Sequence, residues 1–291
     1  MSRLTLFHVG FLFLILFFTT TAKAQKEAET FNVDSTLYEY YQRCQEYLLE
    51  PVVLNMSDTL FRMAGERQDE RMQAVAIATQ LDYYYFQGTN EDSVIHYTNK
   101  VKEFAKATHQ PKYYYFAWAN RLITYYLKTS RTNIALYEVQ NMLKEAQEED
   151  DKTGLSRCYN IMSQIYTIKR FDSMAFEWRL KEIELTEKYK IENYNISQTY
   201  AQIANYYINQ KKQKEALAAV EKAIATANSS TQQISAKLEF VNYYSKFGDF
   251  QAAEKLLKEC QAAFEQDKRL ESIKKRLYNI CLLYTSPSPR D

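Results

Sequence analysis

The chain has 291 residues, 46% of them hydrophobic and 25% charged, enough apolar material for a large core and the wrong composition for collagen or low-complexity disorder. Five Gly and four Pro are too few for the turns of an all-β or α/β fold of this length. A formal charge of +1 leaves no basic footprint for nucleic acid.

Residues 1–24 have the three parts of a secretory signal peptide: a basic start at Arg3, an apolar run over 4–18, and Ala22-Lys23-Ala24. Cleavage is expected between Ala24 and Gln25. The apolar run is short for a spanning helix, and no Cys follows the cleavage site to take a lipid. The expected location is therefore extracytoplasmic: periplasmic, or on the periplasm-facing side of the inner membrane. Residues 25–34 read as a linker, closed by Asp34-Ser35 as the N-cap of a first helix.

From 35 to 280 the chain reads as a repeat array. Tyr84, Tyr126, Tyr166, Tyr207 and Tyr244 recur at spacings of 42, 40, 41 and 37. Nine residues after each stands a small residue: Ser93, Ala135, Ala175, Ala216 and Ala253. Apolar positions upstream of each Tyr follow a helical period, with Ala201, Ala204, Tyr207 and Ile208 on one face. The pattern predicts helix pairs at 70–107, 112–147, 153–188, 192–227 and 231–266. An imperfect pair at 35–66 precedes them as a cap, and a further first helix starts near Leu270. Arg179 stands where the third copy calls for an apolar residue, which puts its register in question.

The clearest copy, residues 242–257, contains Tyr244, Gly248-Asp249-Phe250 and Ala253. It resembles a tetratricopeptide repeat (TPR), in which a Tyr ends the first helix, a Gly-Asp-aromatic turn follows, and a small residue lets the second helix approach. The resemblance implies an all-α, right-handed superhelical solenoid of about six helix-turn-helix pairs, each burying its apolar stripes against its neighbours. Two residues before each anchor Tyr lie Asp82, Thr124, Gln164, Asn205 and Asn242, all polar. In the TPR family this column lines the concave groove and often contacts a bound peptide. Four residues further upstream, Asn120 and Asn160 extend the candidate groove, beside Ala78, Ala201 and Leu238. The Lys that clamps a carboxylate in cytosolic chaperone-binding members is missing from this second column.

Constellations for catalysis are missing. His96 and His109 have no partners at metal or nucleophile spacing. Cys44, Cys158 and Cys260 form no C-x-x-C pair and read as buried thiols. The run Glu148-Glu149-Asp150-Asp151 lacks the alternation and turn Gly of a calcium loop and reads as solvated. Neither a cofactor nor a metal is expected, and the chain is expected not to be an enzyme. The aromatic runs Tyr83–Phe86 and Tyr113–Phe116 cover every face of a helix, so some of their rings must leave the core for the surface or a groove.

Residues 281–291, CLLYTSPSPRD, match one reading frame of a transposase-type sequencing-library adapter at all eleven positions. The native stretch is therefore expected to span 25–280 and to continue past it. Setting aside Arg3, Lys23, Arg290 and Asp291 moves the formal charge from +1 to −1. Exported TPR arrays of this kind resemble the N-terminal sensor regions of membrane-bound regulators in Bacteroidetes. That implies a protein or peptide partner in the concave groove and an output domain further along, a histidine kinase or a helix-turn-helix. Any membrane attachment would run through that missing segment. The alternative is a stand-alone periplasmic adaptor or scaffold. Four Asp-Ser/Thr triplets, beginning at Asp34, Asp58, Asp92 and Asp172, resemble O-glycosylation acceptors of exported Bacteroidetes proteins.

Overall fold

A computed structural model describes residues 32–267 and, beyond them, residues 270, 273–275, 277 and 278. The expected signal peptide, its cleavage site at Ala24 and Gln25, most of the linker and the eleven-residue tail lie outside the described residues. All regular structure among the described residues is helical. The helices are α1 (Ser35–Glu46), α2 (Val52–Glu66), α3 (Glu70–Gln87) and α4 (Glu91–Ala107). Next comes α5 (Pro111–Phe116), which runs through a π-helical segment (Ala117–Ile123) into α6 (Thr124–Lys128). Then follow α7 (Thr132–Glu148), α8 (Lys152–Ile168), α9 (Asp172–Tyr189), α10 (Ile196–Asn209), α11 (Gln213–Ala225), α12 (Ser230–Phe247) and α13 (Phe250–Gln266).

Four of the helix starts are capped by short acidic or amide side chains. Asp34, Asp69 and Asp249 each accept a hydrogen bond at 3.0 Å from the backbone N–H three residues on, and Asn90 does the same at 2.9 Å. Each satisfies a donor that the first helical turn leaves open. The helix ends share a second device. Ser130, Asp150, Arg170 and Lys211 sit in left-handed backbone in the turns after α6, α7, α8 and α10, with φ of 62°, 52°, 65° and 57°. The N–H of the next residue then folds back five positions. Arg131 donates to the Tyr126 carbonyl at 2.8 Å, Asp151 to Ala146 at 2.9 Å, Phe171 to Tyr166 at 2.9 Å and Lys212 to Tyr207 at 3.0 Å, and after Gly248, with φ of 92°, Asp249 donates to Tyr244 at 2.9 Å. The recurring Tyr is thus the residue whose carbonyl closes the turn, in the manner of a Schellman motif.

The small residues pack the second helix of each pair. Ala135, Ala175, Ala216 and Ala253 are the fourth residues of α7, α9, α11 and α13, and all are fully buried. The first copy differs from the expectation. α3 runs three residues past Tyr84, where α6, α8 and α10 run two past their Tyr, and a turn of the same length follows. The extra residue makes Val94 the fourth residue of α4, and Val94 is fully buried while Ser93 is only half-buried. In the third copy the register is intact despite Arg179. Its side chain is buried, donating from Nε to Gln202 Oε1 at 2.8 Å and from Nη2 to Thr167 Oγ1 at 2.7 Å, so polar contacts stand in for the apolar one.

The chain divides into two compact units between Cys158 and Tyr159, a boundary that falls within α8. In the first unit, α1, α2 and α3 close around Leu37, Cys44, Val53, Leu60, Ala64, Met72 and Ala76. In the second unit, α10 packs on α9, α11 and α12, around Ile203, Ala204, Ile208, Ala216, Val220 and Ala223. A further core between α12 and α13 holds Leu238, Val241, Leu257 and Cys260, and Leu270 and Leu277 are buried in it. Burying each such aliphatic side chain contributes about 1.5–3 kcal/mol.

Candidate functional site

The site lies in the first unit. A cavity of about 450 Å³ opens between α1, α3, α5, the π segment and the start of α8. Its volume is in the range of small-ligand pockets. Apart from Leu48, in the turn after α1, every lining residue comes from the first helix of a pair. That is the face on which the TPR resemblance places the groove. Leu48, Val75, Ala78, Phe86 and Phe116 supply apolar wall, and Tyr41, Tyr113, Gln45 and Thr79 supply polar edge. Burial pushes the Tyr41 and Tyr113 phenols up, so both stay protonated donors. Phe86 is largely exposed, whereas Tyr85, Tyr114 and Tyr115 are buried. The aromatic runs therefore divide between core and cavity.

Three cations and one carboxylate line the cavity: Lys112, Arg121, Arg157 and Asp82. Arg121 grips Asp82 in a two-pronged ion pair, Nε to Oδ1 and Nη2 to Oδ2, the second at 3.0 Å. The guanidinium also lies over the Phe116 ring, 4.6 Å from its centre, and over the Tyr85 ring at 4.9 Å. Such a forked, stacked pair suits Arg and not Lys. Arg157, on α8, donates from Nη1 to the Asn120 side-chain oxygen at 2.8 Å. Its Nε is buried without an acceptor, and it forms no ion pair with a described residue. Burial lowers its pKa, partly opposed by the charge of Asp151.

The π segment shapes this corner. Widening the helix over Ala117–Ile123 frees the Ala119 carbonyl, which accepts the Thr124 hydroxyl at 2.9 Å. Asn120 and Arg121 both stand on this segment. Single-turn π insertions concentrate at functional sites for this reason: they re-aim side chains without breaking the helix.

The expected groove column has mixed fates. Asp82 lines the cavity, and Asn120 sits behind it, holding Arg157. Thr124 is occupied by its own helix. In the second unit, Gln164 donates to Asn160 at 2.7 Å, and Asn160 donates to both oxygens of Glu182 at 3.2 Å. Glu182 is almost fully buried and also accepts from Asn193 at 2.9 Å. Burial raises its pKa against the opposing pull of these hydrogen bonds and of Arg179. Asn242 donates to Asn205 at 3.4 Å. Arg121 and Arg157 were missed from sequence, because single arginines on amphipathic helices carry no motif. The acidic run is less solvated than expected: Glu149 accepts the Tyr115 hydroxyl at 3.0 Å, and Asp151 caps α8 by accepting from the Gly154 N–H at 2.6 Å.

Cys44, Cys158 and Cys260 are free, fully buried thiols, and burial pushes Cys44 and Cys260 up to about 11. Among the described residues there is no cluster of His, Cys, Asp and Glu able to hold a metal, and no helix long and apolar enough to cross a membrane.

No family model matches the chain, and no curated protein matches it. Solved structures do. BtubC (BKLC) from P. vanneervenii is 14% identical, aligns over 89% of this chain and 96% of its own, and gives a TM-score of 0.56. NprR in complex with its cognate peptide NprX is 18% identical over 93% of this chain and 77% of its own, with a TM-score of 0.55. The apo form of RapI is 11% identical over 90% and 78%, also at 0.55. At these identities the likeness is one of fold: this chain has a TPR-like helical repeat architecture.

Proposed function

We propose that the chain is a non-enzymatic extracytoplasmic module that binds a protein or peptide segment, and that it serves as the sensing part of a membrane-bound signalling regulator. One observation carries the binding reading: a ligand-sized cavity on the first-helix face, where apolar and aromatic wall meets a guanidinium whose buried Nε has no acceptor among the described residues. NprR, which shares the fold, has been solved with its cognate peptide, and this supports a peptide as the class of ligand. The export reading rests on the tripartite segment at 1–24.

Affinity selection of peptides on the purified full chain tests the binding reading. Retained peptides that compete with one another support one shared site, and retention of none removes the proposal. Amino-terminal sequencing of the protein from its host tests export, with Gln25 as the expected first residue. A long sequencing read across the 3′ end of the gene separates the two roles. A membrane helix and output domain downstream support the sensor; closure of the last helix pair followed by a stop supports the stand-alone adaptor.

A further inference from the structure

We propose that Arg157 in the first unit's cavity receives a carboxylate of the bound peptide, presented beside an apolar side chain. This rests on the peptide-binding reading above and names its chemistry.

The argument starts from charge. Of the two arginines in the cavity, Arg121 is committed to Asp82 through both prongs of its fork. Arg157 has a neutral amide oxygen from Asn120 and no carboxylate among the described residues. Asp151 contributes attraction from the start of α8, but its Oδ1 already accepts the Gly154 N–H. A guanidinium half withdrawn from water, with its Nε buried and unpaired, is costly without a counter-charge, and a ligand carboxylate offsets that cost with a geometry matched to the fork. The lining offers no competitor: Asp82, its one acidic residue, is neutralised by Arg121. Phe116 lies under both arginines, its ring centre 5.9 Å from Arg157, and gives an apolar side chain a surface next to the charge. Asn120 acts as a positioning residue, because its oxygen fixes one edge of the Arg157 fork. Arg157 also stands outside the polar column that lies two residues before each anchor Tyr.

The test uses three libraries of N-acetylated tetrapeptides on the full chain: free acids, neutral C-terminal amides, and amides carrying one Asp or Glu. Free acids with an apolar last residue are expected to be retained and neutral amides lost. Arg157→Gln is expected to weaken retained peptides about ten- to a hundredfold, and Arg157→Lys less, in line with a charge-assisted hydrogen bond. Retention of the acidic amides with the same Arg157 dependence assigns the carboxylate to a side chain and supports the proposal. Should Arg157→Gln lose helicity, the acid-against-amide comparison on the unaltered chain decides alone. Neutral amides binding as tightly as free acids would overturn the proposal while leaving peptide binding intact. Retention of no peptide from any library removes both.

Discussion

Gly154 shows how one missing methyl shapes the first unit. A Cβ at this position would lie 2.6 Å from the Cζ atom of Tyr115 and 2.8 Å from two further ring atoms. The ring has no slack, since Tyr115 is fully buried and its hydroxyl is tied to Glu149 at 3.0 Å. Gly154→Ala gains about 1 kcal/mol of helix propensity and loses about 1–3 kcal/mol to overpacking. A lower urea midpoint is expected, and in a Tyr115→Leu background the same change should become neutral or stabilising. Glu182 makes the complementary case in the second unit. Its folded-state pKa is raised above the unfolded value of about 4.3, so the folded state binds the extra proton in the window above that value. Stability is therefore fully present below it and falls as pH rises through the folded pKa. The groups facing Glu182 are Asn160, Asn193, Thr199 and Arg179, and Arg179 moderates the shift without reversing it. Glu182→Gln should flatten the pH dependence of the melting temperature in this window. An unchanged slope would show that Glu182 is not the titrating group.

The turns between helices carry the next set of forces. Lys211 holds φ of 57° with an exposed side chain, so little packing offsets its strain. Left-handed backbone costs an L-residue roughly 1–2 kcal/mol, and glycine avoids this while losing part of the gain to its unfolded-state freedom. Lys211→Gly should stabilise by about 0.5–1 kcal/mol, while Glu221→Gly, inside α11, should destabilise by about 1 kcal/mol. Thermal melts of the two variants check the signs. These turns also explain what was legible beforehand. The Tyr periodicity was visible because the same backbone closure recurs at Tyr126, Tyr166, Tyr207 and Tyr244, and one residue type occupies each. Of the left-handed residues in these turns only Gly248 was visible, in its Gly-Asp-aromatic turn, because Ser130, Arg170 and Lys211 share no side-chain chemistry. Ser93 was misplaced because the nine-residue offset was counted along the sequence, whereas packing is counted from the helix start. Asp82 was singled out by its column, and it lines the cavity. Arg121 and Arg157 were not, since the Arg121 ion pair and the half-filled Arg157 fork arise from the π segment and from α8, which only the fold brings to one cavity.

At the scale of the whole chain, a stack of helix pairs derives each pair's stability mainly from its neighbours, and its cooperativity has a finite range. The described structure provides a natural reporter in each unit. Trp118 is buried on the π segment, with Nε1 donating to Glu138 at 2.8 Å and Lys102 Nζ 3.5 Å from its ring centre. Trp178, on α9, packs against Tyr159 at 5.4 Å. These are the only two tryptophans in the sequence. Trp178→Phe and Trp118→Phe therefore isolate the fluorescence of the first and second units in turn. Ala216 is fully buried between α10 and α11, so Ala216→Leu forces extra methylenes into a filled space at a cost of about 1–3 kcal/mol. Placed in both single-tryptophan backgrounds, it should move the urea midpoint seen by Trp178 to lower concentration and move the one seen by Trp118 less. That outcome makes the boundary after Cys158 an energetic one as well as a geometric one. Equal shifts at both reporters would mean that the array unfolds as a single cooperative body, with the cost in α11 felt as strongly at the cavity as at its source.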